Sequence, residues 1–222
     1  MQSNGDRDRL ISSDDKGEFL LIPTMTGTSS VVHAILGAVS TRYQDFTTTD
    51  DQRIVMASEI REYVGNNVLT PVKKGLSVWE LVYPLVYDAK IDENDIDGSI
   101  AEYFRTRSNS PLLLSSSLLD ETAIVPPRAI WLFAETLKVN IHLFSHIGAV
   151  SHVCDKSWNN ILIYQQKDNM LYNTIGYKSY DSKRMTTLFC PDQVKDLEVR
   201  KGTDKKSLRQ QKLFSKYIRE RS

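Results

Sequence analysis

A chain of 222 residues with 41% hydrophobic and 25% charged residues has the composition of a globular protein and suits one medium domain with a single core. No run approaches the ~18 apolar residues of a membrane span, Met1 to Arg9 is too polar and charged for a secretory signal, and the two cysteines, Cys154 and Cys190, make neither a disulfide framework nor a metal quartet. The formal net charge of zero hides an asymmetry: positions 200–222 hold nine basic and two acidic residues, a surplus of seven, so residues 1–199 carry a deficit of seven.

Residues 1–18, rich in Asp, Ser, Asn and Gly, read as a flexible leader. Phe19 to Ile22 is a short apolar run stopped by Pro23, the pattern of a buried strand. From Ser30 to Thr41 nearly every residue is apolar or small, which predicts a buried helix with Ser29 or Ser30 as its N-cap. Thr49-Asp50-Asp51 caps a second helix, with Met56, Ile60, Tyr63 and Val64 on one face and Gly65-Asn66-Asn67 at its end. Val78, Leu81, Val82 and Leu85 form a third stripe, which Pro84 is expected to kink or end.

Asn94 to Arg107 reads as a more polar helix that buries Ile96, Ile100, Tyr103 and Phe104. The leucine runs 112–114 and 118–119 are ambiguous between helix and strand. Pro126-Pro127 opens a helix that runs to Val139 on a stripe of Ile130, Phe133, Ala134 and Leu137. Residues 140–145, 149–153, 160–165 and 171–175 are then short, branched or aromatic and separated by Gly, Asn and Asp, as strands are. Helices followed by a meander of strands is the texture of the α+β class.

Two segments carry the functional signal. Thr26-Gly27-Thr28-Ser29-Ser30-Val31-Val32-His33-Ala34-Ile35-Leu36 is a tight loop running into a helix, and Asp168-Asn169-Met170-Leu171-Tyr172-Asn173-Thr174-Ile175 ends in a strand. In this order they resemble the front and back of the ovarian-tumour (OTU) family of deubiquitinating cysteine proteases, in the divergent style of virus-encoded members. Trp131, on a helix that feeds strand 140–145, and the strand Ile161 to Tyr164 extend the resemblance over roughly Phe19 to Gly176. It implies a papain-related α+β fold over residues 19–196, with helices packed on a small mixed or antiparallel sheet.

The same resemblance assigns positions. Aligning on His33-Ala34-Ile35 puts the family's cysteine at Ser30; aligning on Tyr172-Asn173 puts its histidine at Leu171 and the orienting third member at Asn173. A cysteine hydrolase needs a thiolate at a helix N-terminus and an imidazole to pair with it and protonate the leaving group. Serine is a far weaker acid, leucine cannot move a proton, and loss of one triad member already costs roughly 10⁴-fold in well-studied hydrolases. Gly27-Thr28 also stands where the family has Asp-Gly, so the oxyanion loop departs from its pattern.

The resemblance therefore implies a catalytically inactive protease-like viral protein that binds ubiquitin or a viral capsid or assembly partner, in the host cytoplasm or the virion. Two alternatives stay open: an active viral OTU-like peptidase with an unconventional site, and an α+β interaction module unrelated to proteases. Ser30 is expected beside Leu171 and Asn173, on an edge-proximal strand covered by the 127–139 helix. No cofactor and no metal site is expected. His33 is expected to be a packed helix histidine, His152 and Cys154 a half-buried strand pair, Cys190 a packed thiol at a turn, and His142 and His146 too isolated to ligate a metal.

Residues 197–222 form the second candidate site. Thr203 or Asp204 can cap a helix whose stripe of Leu208, Leu213, Phe214, Tyr217 and Ile218 lies beside a basic face. Lys205, Lys206, Arg209, Lys212, Phe214, Lys216 and Tyr217 are the expected partner-binding residues; the alternative is a solvated helix docked on the chain's own acidic body. A protein partner is favoured over RNA, which remains a candidate: the acidic body repels phosphates and only Phe214 and Tyr217 could stack on bases.

Overall fold

The computed structural model describes residues 9–13, 17–73, 75–87, 110–145, 148–166, 171–181 and 185–194. The helix expected over 94–107 and the basic segment 197–222 lie outside the described residues. In chain order the elements are β1 (Arg9–Ser13), β2 (Gly17–Ile22), α1 (Ser30–Val39), α2 (Thr41–Gln44) and α3 (Asp50–Asn67), then the small hairpin β3 (Pro71–Lys73) and β4 (Leu76–Ser77). Next come α4 (Val78–Tyr87), α5 (Ser110–Leu119) and α6 (Ala129–Leu137). Strands β5 (Val139–Ser145), β6 (Gly148–His152), β7 (Asn159–Gln165), β8 (Tyr172–Ser179), β9 (Met185–Thr186) and β10 (Leu188–Phe189) follow, with a 3-10 turn at Pro191–Gln193.

The main sheet runs β1-β2-β8-β7-β5-β6. Only β5 and β7 pair in parallel along this path; the rest is antiparallel. This is the α+β class with a mixed sheet. Where β7 and β8 part company, β10 pairs with β7 at Ile161 and Asn160 while β9 pairs with β8 at Tyr177 and Lys178.

Strand alternation sends side chains to two faces. Ile141, Ile161, Ile163 and Tyr172 join a core with Val32, Ile35, Trp79, Leu118, Ile130 and Phe133 from the helices. Leu162, Ile175 and Phe144 point the other way, to Phe19, Leu21, Phe189 and Val194. Helix α1, buried along almost its whole length, is tied to β8 by Thr174, whose hydroxyl donates to the Ala34 carbonyl at 2.7 Å.

Several expectations are corrected. Residues 9–13 and 17–18, read as leader, are strand: β1 is an edge strand held by main-chain bonds to β2, and an edge position demands little apolar side-chain burial. Helix α4 runs past Pro84 to Tyr87, so the proline does not end it; one lost backbone bond is offset by burial of Val78, Trp79 and Val82. The leucine runs are a single helix, α5, because Leu114 and Leu118 sit one turn apart and both go inward. Strand β8 is interior, paired with β2 and β7, and the helix packed on it is α1; the tryptophan helix α6 packs instead towards β5 and β6, with Trp131 edge-on to His152 at 4.9 Å.

Candidate functional site

The loop from Pro23 to Ser29 carries the chain from β2 into α1, and β8 receives it. Thr24 is fixed to β8 twice: its N–H donates to Asn173 Oδ1 at 3.3 Å and its hydroxyl donates to the Tyr172 carbonyl. Gly27 turns the chain with φ of 108°, a left-handed value that glycine adopts without a Cβ penalty. The Ser30 N–H closes this turn on the Gly27 carbonyl at 3.0 Å. Helix α1 then starts, with the N–H groups of Val32 and His33 on the Ser29 carbonyl at 2.8 and 3.0 Å.

Ser30 and β8 meet directly. The Tyr172 N–H donates to Ser30 Oγ at 2.9 Å. The structure thus brings Ser30 beside the peptide that joins Leu171 to Tyr172, with Asn173 one residue on. Yet Ser30 is 1% exposed, and its oxygen is occupied as a structural acceptor. Leu171 is half-buried, with its carbonyl taking the Gln166 N–H at 2.9 Å. Asn173 uses its amide oxygen on the Thr24 backbone, so it positions the loop.

Arg61 is a residue of this site that the sequence reading missed. It is 1% exposed, and its guanidinium is spent on one joint. Nε donates to the Leu118 carbonyl at 3.1 Å and Nη1 to Ser29 Oγ at 2.8 Å. Nη2 donates to the carbonyls of Ser117, Asp120 and Ala123 at 3.0, 2.6 and 3.1 Å. The fork shape of guanidinium suits such convergent carbonyls, and a buried arginine keeps its charge. Two further bonds join the loop to the same segment: Thr28 Oγ1 donates to the Glu121 carbonyl at 2.8 Å, and the Val125 N–H donates to the Thr28 carbonyl at 3.2 Å. The signal available in the sequence was a lone arginine on the inward face of α3, in step with Ala57, Val64 and Gly65.

The described histidines, His33, His142 and His152, are structural; His146 lies outside the described residues. His33 Nδ1 lies 2.9 Å from the Tyr43 hydroxyl, and burial pushes its pKa down to about 4. His142 bonds through Nδ1 to Ser151 Oγ at 2.8 Å and through Nε2 to Asn160 Oδ1 at 2.9 Å. An amide oxygen only accepts, so the proton sits on Nε2 and Ser151 donates to Nδ1. Burial pushes His142 down, and pushes His152 down to about 4. His152 Nδ1 has no hydrogen-bond partner. Cys154 is pushed up to about 12, first by burial and then by Glu135, so it remains a thiol and a poor nucleophile. Cys190 is exposed rather than packed, because it caps the 3-10 turn and its N–H donates to Gln193 Oε1 at 2.9 Å.

A cleft of about 780 Å³ opens beside the loop, between Ile22, Thr24, Met25, Tyr43, Arg53 and Met185. Ser30, Leu171 and Asn173 are not among its lining residues. Among the described residues, no group of three or more His, Cys, Asp or Glu side chains could hold a metal ion, and no helix is long and apolar enough to cross a membrane. The expected partner-binding residues, Lys205, Lys206, Arg209, Lys212, Phe214, Lys216 and Tyr217, lie outside the described residues.

No family model and no curated protein matches this chain. Among solved structures, it is similar to an ovarian-tumour (OTU) domain in complex with ubiquitin, at 13% identity and a TM-score of 0.46 over 90% of this chain and 88% of that one. It is also similar to the OTUD1 OTU domain, at 14% identity and a TM-score of 0.43 over 71% and 85% of the two chains. A third similar structure is the viral OTU domain protease from Taggert virus, at 10% identity and a TM-score of 0.40 over 82% and 99%. All three are OTU domains.

Proposed function

We propose that this chain is a non-catalytic, OTU-protease-like domain that works by binding another protein. The observation that carries this reading is the state of Ser30: the side chain at the nucleophile-equivalent position is 1% exposed and accepts a backbone hydrogen bond from β8. A nucleophile has to reach a substrate carbonyl and needs a base within hydrogen-bond range. Position 171 supplies a leucine, and His33, three residues along α1, is neutral at pH 7 and bonded to Tyr43.

The partner we favour is ubiquitin or a viral capsid or assembly protein, with the host cytoplasm or the virion as its setting. Support comes from the motif order in the sequence. The experiment has two arms. Thiol-directed ubiquitin probes should label neither the chain nor its Ser30→Ala variant, and titration of ¹⁵N-labelled ubiquitin with the chain should shift a contiguous set of ubiquitin resonances. Covalent labelling that needs Ser30 sinks the non-catalytic part. Unperturbed ubiquitin spectra at millimolar chain remove ubiquitin and leave the other viral proteins.

A further inference from the structure

We infer that the cleft beside the loop takes an extended segment of a partner polypeptide, bound by the open main chain of Met25 and Thr26 and by an apolar seat over β8, with a basic residue towards the start of α3. This rests on the protein-binding reading and gives it a surface, one distinct from the Ser30 pocket. The cleft, about 780 Å³, is of the size that encloses ligands. Gly37, near the far end of α1 from Ser30, is among its lining residues.

The kind of ligand follows first from main chain. Strand β2 ends at Ile22, opposite Thr174, and Thr24 is still tied to β8. Met25 and Thr26 then line the cleft, and their N–H and C=O groups have no hydrogen-bond partner among the described residues. Two adjacent peptide units with open donors and acceptors are matched by another main chain, which presents the same groups in alternation. The apolar seat comes next. Ile22 and Met185 meet across Gly176 of β8, where a Cβ would stand 2.5 Å from Met185 Sδ and 2.8 Å from Ile22 Cδ1. With Met25 they offer two flexible thioethers and a branched chain, which repack around apolar side chains of varied shape. Charge sets the remaining end. Arg53, the cation of the lining, is spent on its own chain: Nε on the Tyr43 carbonyl, Nη1 on Asp50 Oδ1 and Nη2 on the Asp45 carbonyl, each at 3.1 Å. Exposed Asp45, Asp50 and Asp51 outnumber Arg42 and Arg53 there, in a chain whose residues 1–199 carry a deficit of seven. A lysine or arginine of the ligand is the complement of that rim.

Phage display of a random dodecapeptide library on the full chain supplies the probe, and the selected sequences are then made as synthetic peptides. They should pair an apolar residue with a lysine or arginine a few positions away. Binding should fall at least tenfold in Met185→Asp and in Met25→Asp. Val150→Asp, an exposed position on the far edge strand β6, should bind as the parent does. Bound peptide should slow amide exchange at Met25 and Thr26 at least tenfold. Methylating alternate peptide nitrogens of the ligand gives two series, and one should lose binding while the other keeps it, because a ladder uses one edge of a strand. The exchange and methylation measurements need no variant, so they decide even where an aspartate variant fails to fold. Failure to select any peptide, equal binding to both aspartate variants and the parent, or equal tolerance of the two methylated series would overturn the proposal. Binding of folded ubiquitin without any of these effects would keep the protein-binding reading and remove this cleft from it.

Discussion

Three buried histidines tie the stability of this protein to pH. His33, His142 and His152 are held neutral by burial, with His33 and His152 pushed down to about 4. An unfolded chain takes up these protons near pH 6.5; in the folded chain His33 and His152 take theirs up only near 4, and His142 takes its own up below the ordinary range. The unfolded state therefore binds more protons below about pH 6.5, and stability falls as pH drops from there, with no further loss from His33 and His152 below about 4. Holding His33 and His152 at about 4, against 6.5 for a free imidazole, corresponds to about 3 kcal/mol for each. Urea unfolding at pH 7, 5.5 and 4.5 should show this slope, and His152→Phe, which fills the space beside Trp131 without a titrating nitrogen, should flatten it. An unaltered slope in that variant would assign the acid loss elsewhere. The sequence displayed His33 as a helix histidine, and it is one. It could not display the burial that holds His142 neutral, nor that Ser151 and Asn160 meet its ring from two other strands.

Single elements were legible where their side-chain period was clean. Strands β5 and β7 lie within a residue of the expected ranges, and α1 and α3 start where their caps say: Thr49 and Gln52 form a reciprocal capping box. The elements that were misread are those whose reason lies in a neighbour. β1 exists because β2 offers it an edge, and α5 is a helix because α3 presents Gly65 and Arg61 to it. Arg61 is the joint between these elements and the Ser30 turn. Arg61→Lys leaves most of five carbonyl and hydroxyl acceptors without a donor, and should cost about 3 kcal/mol or more. Arg61→Lys should also speed amide hydrogen exchange at Ser29, Ser30 and Val125 beyond the change at β7. Uniform loss of protection would show that Arg61 serves global stability without a particular hold on the loop.

At the scale of the molecule, a sheet with one helix-covered face brings two distant segments together, the turn before Ser30 and the start of β8. The motif order in the sequence anticipated that meeting. What it could not anticipate was the use made of it: Ser30 Oγ and Asn173 Oδ1 are acceptors for backbone N–H groups of Tyr172 and Thr24, so the positions that suggest chemistry hold the loop to the sheet. The measurement that reaches this claim most directly is a comparison of the chain with its Ser30→Ala variant, in which urea unfolding and hydrolysis of ubiquitin chains are followed on the same preparations. Removing the hydroxyl leaves the buried Tyr172 N–H unpaired, which should cost about 1–3 kcal/mol, while both proteins hydrolyse nothing. Turnover by the parent chain that vanishes in the variant, with stability unchanged, would contradict the account and make Ser30 a nucleophile.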